Sequence, residues 1–326
     1  MIENPAAKAE DLLVQGYARE AIAIIQNACA SNNSDALLLQ AMWKLSGSLL
    51  PRDLPGARAL LRQATVLGNT EAALIEVALT GNGSGASADW ERARALLEIA
   101  AGKDQAAAEQ SAMLRQMALT PDGAPAVVPD IRQIAERPNI WLAARLFTPE
   151  ECHHVAQTIV DVLAPATVID PQTGRNVANA VRTSDGAVIG PTRETLVVQA
   201  LNRRLAAVTC TDRRQGEALS VLRYRPGQQF WPHVDALPAT RNQRIRTVLI
   251  YLNEGFKGGS TFFVGNQFRV TPRTGDAIIF DNVRSDGCID PTTQHAGEPV
   301  TEGIKWLATR WIRQRPFDVW TGPENA

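Results

Sequence analysis

A chain of 326 residues is long for a single hydrophobic core, so two domains are expected. Hydrophobic residues make up 45% and charged residues 21%, as in ordinary soluble globular proteins, and a formal net charge of −1 argues against long-range attraction to nucleic acid or to an anionic membrane. The amino terminus lacks a basic, apolar leader, and no apolar stretch approaches the roughly 18 residues that would span a bilayer. Cys29, Cys152, Cys210 and Cys288 are too scattered for a disulfide framework or a zinc site, so a reducing, cytoplasmic setting is expected.

The first 120 residues are rich in Ala and Leu, which favours helix. They also repeat. Ala57-Arg-Ala-Leu-Leu61 returns as Ala93-Arg-Ala-Leu-Leu97, an offset of 36, and the same step backwards reaches Ala21-Ile-Ala-Ile-Ile25. This register aligns Ala28, Ala64 and Ala100, and then Ala36, Ala72 and Ala108. Small residues at matched positions let paired helices approach closely, and a period in the mid-thirties marks an α/α repeat array whose units bury their apolar faces only by stacking. Residues 8–118 resemble the tetratricopeptide class, in particular its short Ala/Gly-rich members, and the Gly68-Asn69 and Gly102-Lys103-Asp104 turns agree with that. Arrays of this class present a face to a peptide or protein, and a docking or dimerisation role is equally open. A helical repeat domain over 1–120 is therefore expected. A proline-rich linker over 121–138 follows, and then a second domain over 139–326.

From residue 139 the pattern changes. Thr148 as N-cap, Pro149 at the first helical position and Glu150-Glu151 behind it predict a helix running to about Leu163. Short β-rich runs follow at Leu219–Tyr224, Arg246–Leu252, Ser260–Val264, Asn266–Val270, Ala277–Phe280 and Ile304–Ile312, broken by Gly258-Gly259, Gly265-Asn266 and Gly275-Asp276. The class is α+β multidomain: an N-terminal helical repeat array, then a double-stranded β-helix, or jelly roll, with flanking helices.

The chemistry concentrates in that second domain. The chain has four histidines, and one of them, His233, is followed two residues later by Asp235. Period-two geometry turns both toward one face of an extended segment. A distal His295 stands 60 residues beyond Asp235, and Lys305 ten residues after that. Two imidazoles and a carboxylate can take one face of an octahedral metal and leave three positions open, which is the facial triad of non-haem Fe(II) oxygenases. Lys305, Leu307, Thr309 and Trp311 share one face of the last strand by the same period-two rule. His153 and His154 are neighbours on a helix and point in different directions, so neither is expected to bind metal.

About residues 139–316 resemble the prolyl 4-hydroxylase branch of the Fe(II)/2-oxoglutarate-dependent dioxygenases. The resemblance rests on Phe147-Thr-Pro-Glu-Glu-Cys152, Val181-Arg-Thr-Ser184, Leu222-Arg-Tyr224-Arg-Pro-Gly227, Pro232-His233-Val-Asp235, Arg246-Thr-Val-Leu-Ile-Tyr-Leu-Asn253, Gly258-Gly-Ser-Thr261-Phe, Pro272-Arg-Thr-Gly-Asp-Ala-Ile-Ile-Phe280 and His295-Ala-Gly-Glu-Pro-Val300 running into Lys305-Trp and Trp311-Ile. It implies that His233, Asp235 and His295 hold Fe(II). It implies that Lys305, with the hydroxyls of Tyr224 and Thr261, takes the distal carboxylate of 2-oxoglutarate, that Trp311 lines the co-substrate pocket, and that Arg244 faces the substrate. A carboxylate in an apolar barrel needs such a cation and such hydrogen bonds. The implied reaction uses O2, decarboxylates 2-oxoglutarate to succinate and CO2, and hydroxylates a side chain, proline among the candidates, in a peptide or protein, with ascorbate as a reductant. The polar segment Asp170–Asn179 corresponds to a loop that closes over substrate in this family. Two alternatives stay open: a hydroxylase of a free amino acid, small molecule or modified peptide, and a non-catalytic scaffold.

Overall fold

The structure is a computed structural model that describes residues 4–169 and 176–321. The chain forms two compact units, Met1–Gly123 with Pro191–Gln199, and Ala124–Gly190 with Ala200–Ala326. Among the described residues no helix is long and apolar enough to cross a membrane.

Seven helices build the first unit's array: α1 (Pro5–Val14), α2 (Ala18–Ala30), α3 (Ser34–Ser46), α4 (Leu54–Val66), α5 (Thr70–Asn82), α6 (Trp90–Ala101) and α7 (Gln105–Gln116). The starts of α2, α4 and α6 are each 36 residues apart. Local chemistry fixes those starts. Asp53 and Asp89 cap α4 and α6 by accepting from Gly56 N and Arg92 N, while Asn33, Asn69 and Asp104 cap α3, α5 and α7. Ala21, Ala57 and Ala93 are fully buried at matched positions, and Ile25, Leu61 and Leu97 follow four residues later as the apolar anchors. The Ala36, Ala72, Ala108 series needs one correction: the third buried alanine is Ala107. The reason is that α6 has 12 residues where α4 has 13, so the second helix of the last pair starts one residue early.

The second unit begins inside the expected linker, because residues 132–136 form a strand rather than free chain. Its first elements are β1 (Arg132–Glu136), β2 (Asn139–Ala143) and α8 (Pro149–Gln157). Thr148 and Glu151 form the reciprocal capping box at the start of α8, as the sequence suggests. The helix stops six residues short of Leu163: a β-branched run, Thr158-Ile159-Val160, follows, the Thr158 hydroxyl bonds back to His154 O, and a single 3-10 turn at Val160–Val162 takes over.

Next come β3 (Ala164–Pro165), β4 (Thr167–Ile169), β5 (Asn176–Ala178), β6 (Asp185–Val188) and α9 (Leu196–Thr209). Of the expected loop Asp170–Asn179, residues 170–175 lie outside the described residues, and Asn176–Ala178 pairs with Thr167–Ile169. The remaining strands are β7 (Ser220–Tyr224), β8 (Phe230–His233), β9 (Arg244–Tyr251), β10 (Lys257–Gly258), β11 (Thr261–Phe263), β12 (Phe268–Val270), β13 (Ala277–Asp281), β14 (His295–Gly297), β15 (Val300–Glu302) and β16 (Lys305–Arg313). The six expected strands all form, with ends moved by at most two residues.

The large sheet runs β1-β2-β13-β9-β16-β7-β6-β3 and the small one β12-β11-β14-β8, with antiparallel pairing. Counted along the chain, β7, β9, β13 and β16 fall in the large sheet and β8, β11, β12 and β14 in the small one, with only the β11–β12 hairpin staying in a single sheet, which is the strand distribution of a double-stranded β-helix. The core of this unit includes Ile140, Leu249, Tyr251, Phe263, Ile278 and Phe280.

Candidate active site

Sheet pairing brings the distant histidines together. His295 opens β14 and stands directly opposite His233, the last residue of β8. Asp235 lies just past the end of β8, in a bend, and folds back so that its Oδ1 is 3.7 Å from His233 Nε2 and its Oδ2 is 3.8 Å from His295 Nε2. One ligand atom from each of the three falls within 4.8 Å of the others.

Each histidine is oriented by the main chain two residues before it. His233 Nδ1 lies 2.8 Å from Trp231 O, and His295 Nδ1 lies 2.9 Å from Thr293 O. A carbonyl can only accept, so Nδ1 carries a proton and Nε2 is the nitrogen left facing the other two side chains. Burial, and then the neighbouring His295, hold His233 well below the ordinary histidine range, so its imidazole is neutral at neutral pH. Burial raises Asp235, but the two histidines and the Thr247 hydrogen bond outweigh it and keep the group a carboxylate. Two imidazoles that turn Nε2 inward and one carboxylate are the donor set that ferrous iron takes. Phe230 stacks flat on His233, with ring centroids 3.6 Å apart, and Phe280 meets His295 edge-on at 4.9 Å.

Lys305 opens β16 opposite Tyr224 on β7. Lys305 is 2% exposed, and the only hydrogen bond of its ammonium among the described residues is to Gly259 O at 2.6 Å. Gly259 has φ +66°, a left-handed conformation that turns this carbonyl toward the lysine without a Cβ penalty. The rings of Tyr251 and Tyr224 flank the ammonium at 4.8 and 5.5 Å. Burial pulls Lys305 down to about 7. A cation so poorly solvated is a receptor for an anion.

Tyr224, His233, Asp235, Thr261, His295, Lys305 and Trp311 line one pocket, so seven of the eight residues singled out from the sequence come together. Arg244 does not line it. Its guanidinium donates through Nε and Nη2 to the two oxygens of Glu217, at 2.6 and 2.9 Å, and lies over the Trp311 ring at 3.9 Å. That geometry makes it a support for the indole rather than an exposed contact for substrate. His153 and His154 are not in the metal-binding cluster.

Sequence reasoning passed over Tyr251 and Arg182, among others. Tyr251 reads as an ordinary strand aromatic, yet its hydroxyl is 2.6 Å from Thr261 Oγ1. Burial raises both Tyr224, to about 12, and Tyr251, so both phenols stay protonated. Arg182 sits in the quoted Val181-Arg-Thr-Ser184 block and bridges to Phe230, over whose ring its guanidinium lies at 5.7 Å. A cation in that block was the available signal.

Residues 219–313 match the 2OG-Fe(II) oxygenase superfamily. The chain is 34% identical over 197 residues to prolyl 4-hydroxylase 1 of Arabidopsis thaliana, covering 55% of this chain and 70% of that one. Among solved structures it is similar to the viral collagen prolyl hydroxylase vCPH of Paramecium Bursaria Chlorella virus-1 in its 2OG complex, with 26% identity and a TM-score of 0.43 over 53% of this chain and 95% of that one. A Sel1 repeat protein from Oxalobacter formigenes is also similar, with 30% identity and a TM-score of 0.27 over 31% of this chain and 28% of that one.

Proposed function

The chain belongs to the prolyl 4-hydroxylase family of 2OG-Fe(II) oxygenases, and from that premise we propose that it hydroxylates a side chain, proline first among the targets, in a peptide or protein. It is a 2-oxoglutarate-dependent dioxygenase, so 2-oxoglutarate leaves as succinate and CO2 while one oxygen atom enters the product. The single observation that carries the reading is the placing of His233, Asp235 and His295 around one point of a pocket that also holds the buried Lys305.

In this reading His233, Asp235 and His295 hold Fe(II). When bound, the ferrous ion supplies the O2 activation that couples decarboxylation to C–H hydroxylation. The rest is done by the chain. Lys305 neutralises the distal carboxylate of 2-oxoglutarate, and protonated Tyr224 and the Thr261 hydroxyl donate to it. Thr261 can donate outward because the Tyr251 hydroxyl is available to donate to it at 2.6 Å. Trp311 closes one wall, backed by Arg244, which Glu217 holds in place. Phe230 and Phe280 keep the imidazoles from rotating and exclude water around them. Ascorbate is the expected reductant of iron oxidised in uncoupled cycles, and a reducing cytoplasm suits a chain whose cysteines are all free.

The helical unit supports the choice of a peptide. A cleft of about 270 Å³ there is lined by Arg62, Arg92 and Lys103 beside exposed Val66 and Ile99, a mixture that suits an extended chain. The test is direct. The protein with Fe(II), 2-oxoglutarate and ascorbate is offered proline-containing peptides and, separately, free amino acids. Product is read by mass spectrometry as the gain of one oxygen atom, and succinate is measured in parallel. Modification of peptides supports the proposal. Turnover confined to free amino acids, unchanged when residues 1–120 are removed, would replace it with the small-molecule alternative.

A further inference from the structure

Phe280 on β13, Thr247 on β9 and Trp311 on β16 stand directly opposite one another, forming one row across three strands. Residues so paired project from the same face of a sheet. This face looks onto His233, Asp235 and His295. Phe280 packs on His295, Trp311 lines the same pocket, and Thr247 Oγ1 donates to Asp235 Oδ2 at 2.7 Å. Behind Thr247 lies Asn282, the first residue beyond β13, whose Nδ2 donates to Thr247 Oγ1 at 2.9 Å. The Asn282 backbone is itself pinned, its N–H donating to Ile245 O at 2.8 Å. Asn282 and Thr247 are fully buried and Asp235 is 5% exposed.

The direction of this chain of hydrogen bonds is forced. A carboxylate can only accept, so the single Thr247 proton goes to Asp235. The Thr247 oxygen must then accept, so Asn282 presents its NH2 group to it. Resting on the reading of this triad as the iron site, we propose that Asn282 and Thr247 are positioning residues that occupy Asp235 Oδ2 and so restrict the carboxylate to ligation through Oδ1 alone. The consequence is a count of positions. A carboxylate ligating through both oxygens would take one more site on the ion, and a chelating 2-oxo acid plus dioxygen need three. A buried, charge-assisted hydrogen bond on one oxygen opposes that second bond and fixes the plane of the group.

The test uses the full-length protein and Co(II), bound anaerobically, as the probe. Thr247→Val removes the hydroxyl at nearly constant shape, Thr247→Ser keeps it, and Asn282→Ala removes only the outer member. We expect Co(II) affinity to fall by about 10- to 100-fold in Thr247→Val, the range for lost partners of metal-binding groups. Thr247→Ser should return it to near the wild-type value, and Asn282→Ala should fall between. The visible absorption of bound Co(II) should change in Thr247→Val and not in Thr247→Ser, a signature that mere loss of stability does not produce. If Thr247→Val fails to fold, Asn282→Ala against Thr247→Ser decides the same question. Wild-type Co(II) affinity and spectrum in Thr247→Val or Asn282→Ala, with binding lost in Asp235→Ala, would overturn the relay and leave the iron site standing. Unchanged Co(II) binding in Asp235→Ala would instead overturn the iron site itself.

Discussion

The two ends of the pocket are built on opposite plans. At the metal end each donor is already held: His233 by Trp231 O, His295 by Thr293 O and Asp235 by Thr247. At the other end Lys305 is buried between two tyrosine rings, with Gly259 O as its only hydrogen-bond partner among the described residues, and is pulled down to about 7. The first end is organised before its ligand arrives, and the second is completed by its ligand. Rigidity suits an ion whose geometry must be set in advance. An unsatisfied cation suits a co-substrate that must bind and leave as succinate every turnover.

The largest expected effect strikes the organised end. His295→Ala should cut turnover by at least about a thousandfold, since the metal supplies several kcal/mol of the stabilisation and each tenfold is 1.36 kcal/mol. Coupled 2-oxoglutarate consumption measures it, and activity within tenfold of wild type would break the comparison at its root. Next comes the completed end. Lys305→Met should raise the KM for 2-oxoglutarate by about 30- to 1000-fold, the equivalent of about 2–4 kcal/mol for a lost charged partner in a buried site, with a smaller effect on kcat. An unchanged KM would remove the anchor role.

The pH profile sharpens the contrast. Lys305 lies below the ordinary lysine range, so its charged form is present below about pH 7 and is lost above it. Binding a carboxylate requires that charge, so the KM for 2-oxoglutarate should climb above pH 7 by up to about tenfold per pH unit. Lys305→Arg, charged throughout, should flatten the climb whatever its absolute affinity. A flat wild-type profile would mean the lysine is solvated more than its burial suggests. The smallest effect is at the supporting hydroxyls. Thr261→Val breaks the bond to Tyr251 and should cost about 1 kcal/mol, a KM change of about fivefold, readable in the same assay.

Much of this was legible in the sequence, for identifiable reasons. The helical period was visible because Ala21, Ala57 and Ala93 recur at one spacing and the structure packs at one spacing. It slipped at Ala108 because a helix one residue shorter leaves no mark in composition. Lys305, Thr309 and Trp311 could be assigned to one face because β16 is a regular strand. Asp235 reaches the site from a bend, where the period-two rule says nothing. Tyr251, Thr247 and Asn282 were invisible as site residues because their roles come from partners 10 to 35 positions away, brought close by sheet packing. The strand at 132–136 was hidden by the proline-rich run just before it.

The caps at Asp53 and Asp89 have one more consequence. Because every second helix of the array starts on the same beat, a whole module can be inserted or deleted by gene duplication or loss while its neighbours keep their packing. The double-stranded β-helix offers no such freedom, since each of its strands touches others from far along the chain. Relatives that vary the length of the array in whole modules could therefore diverge in what they grip while the chemistry stays the same.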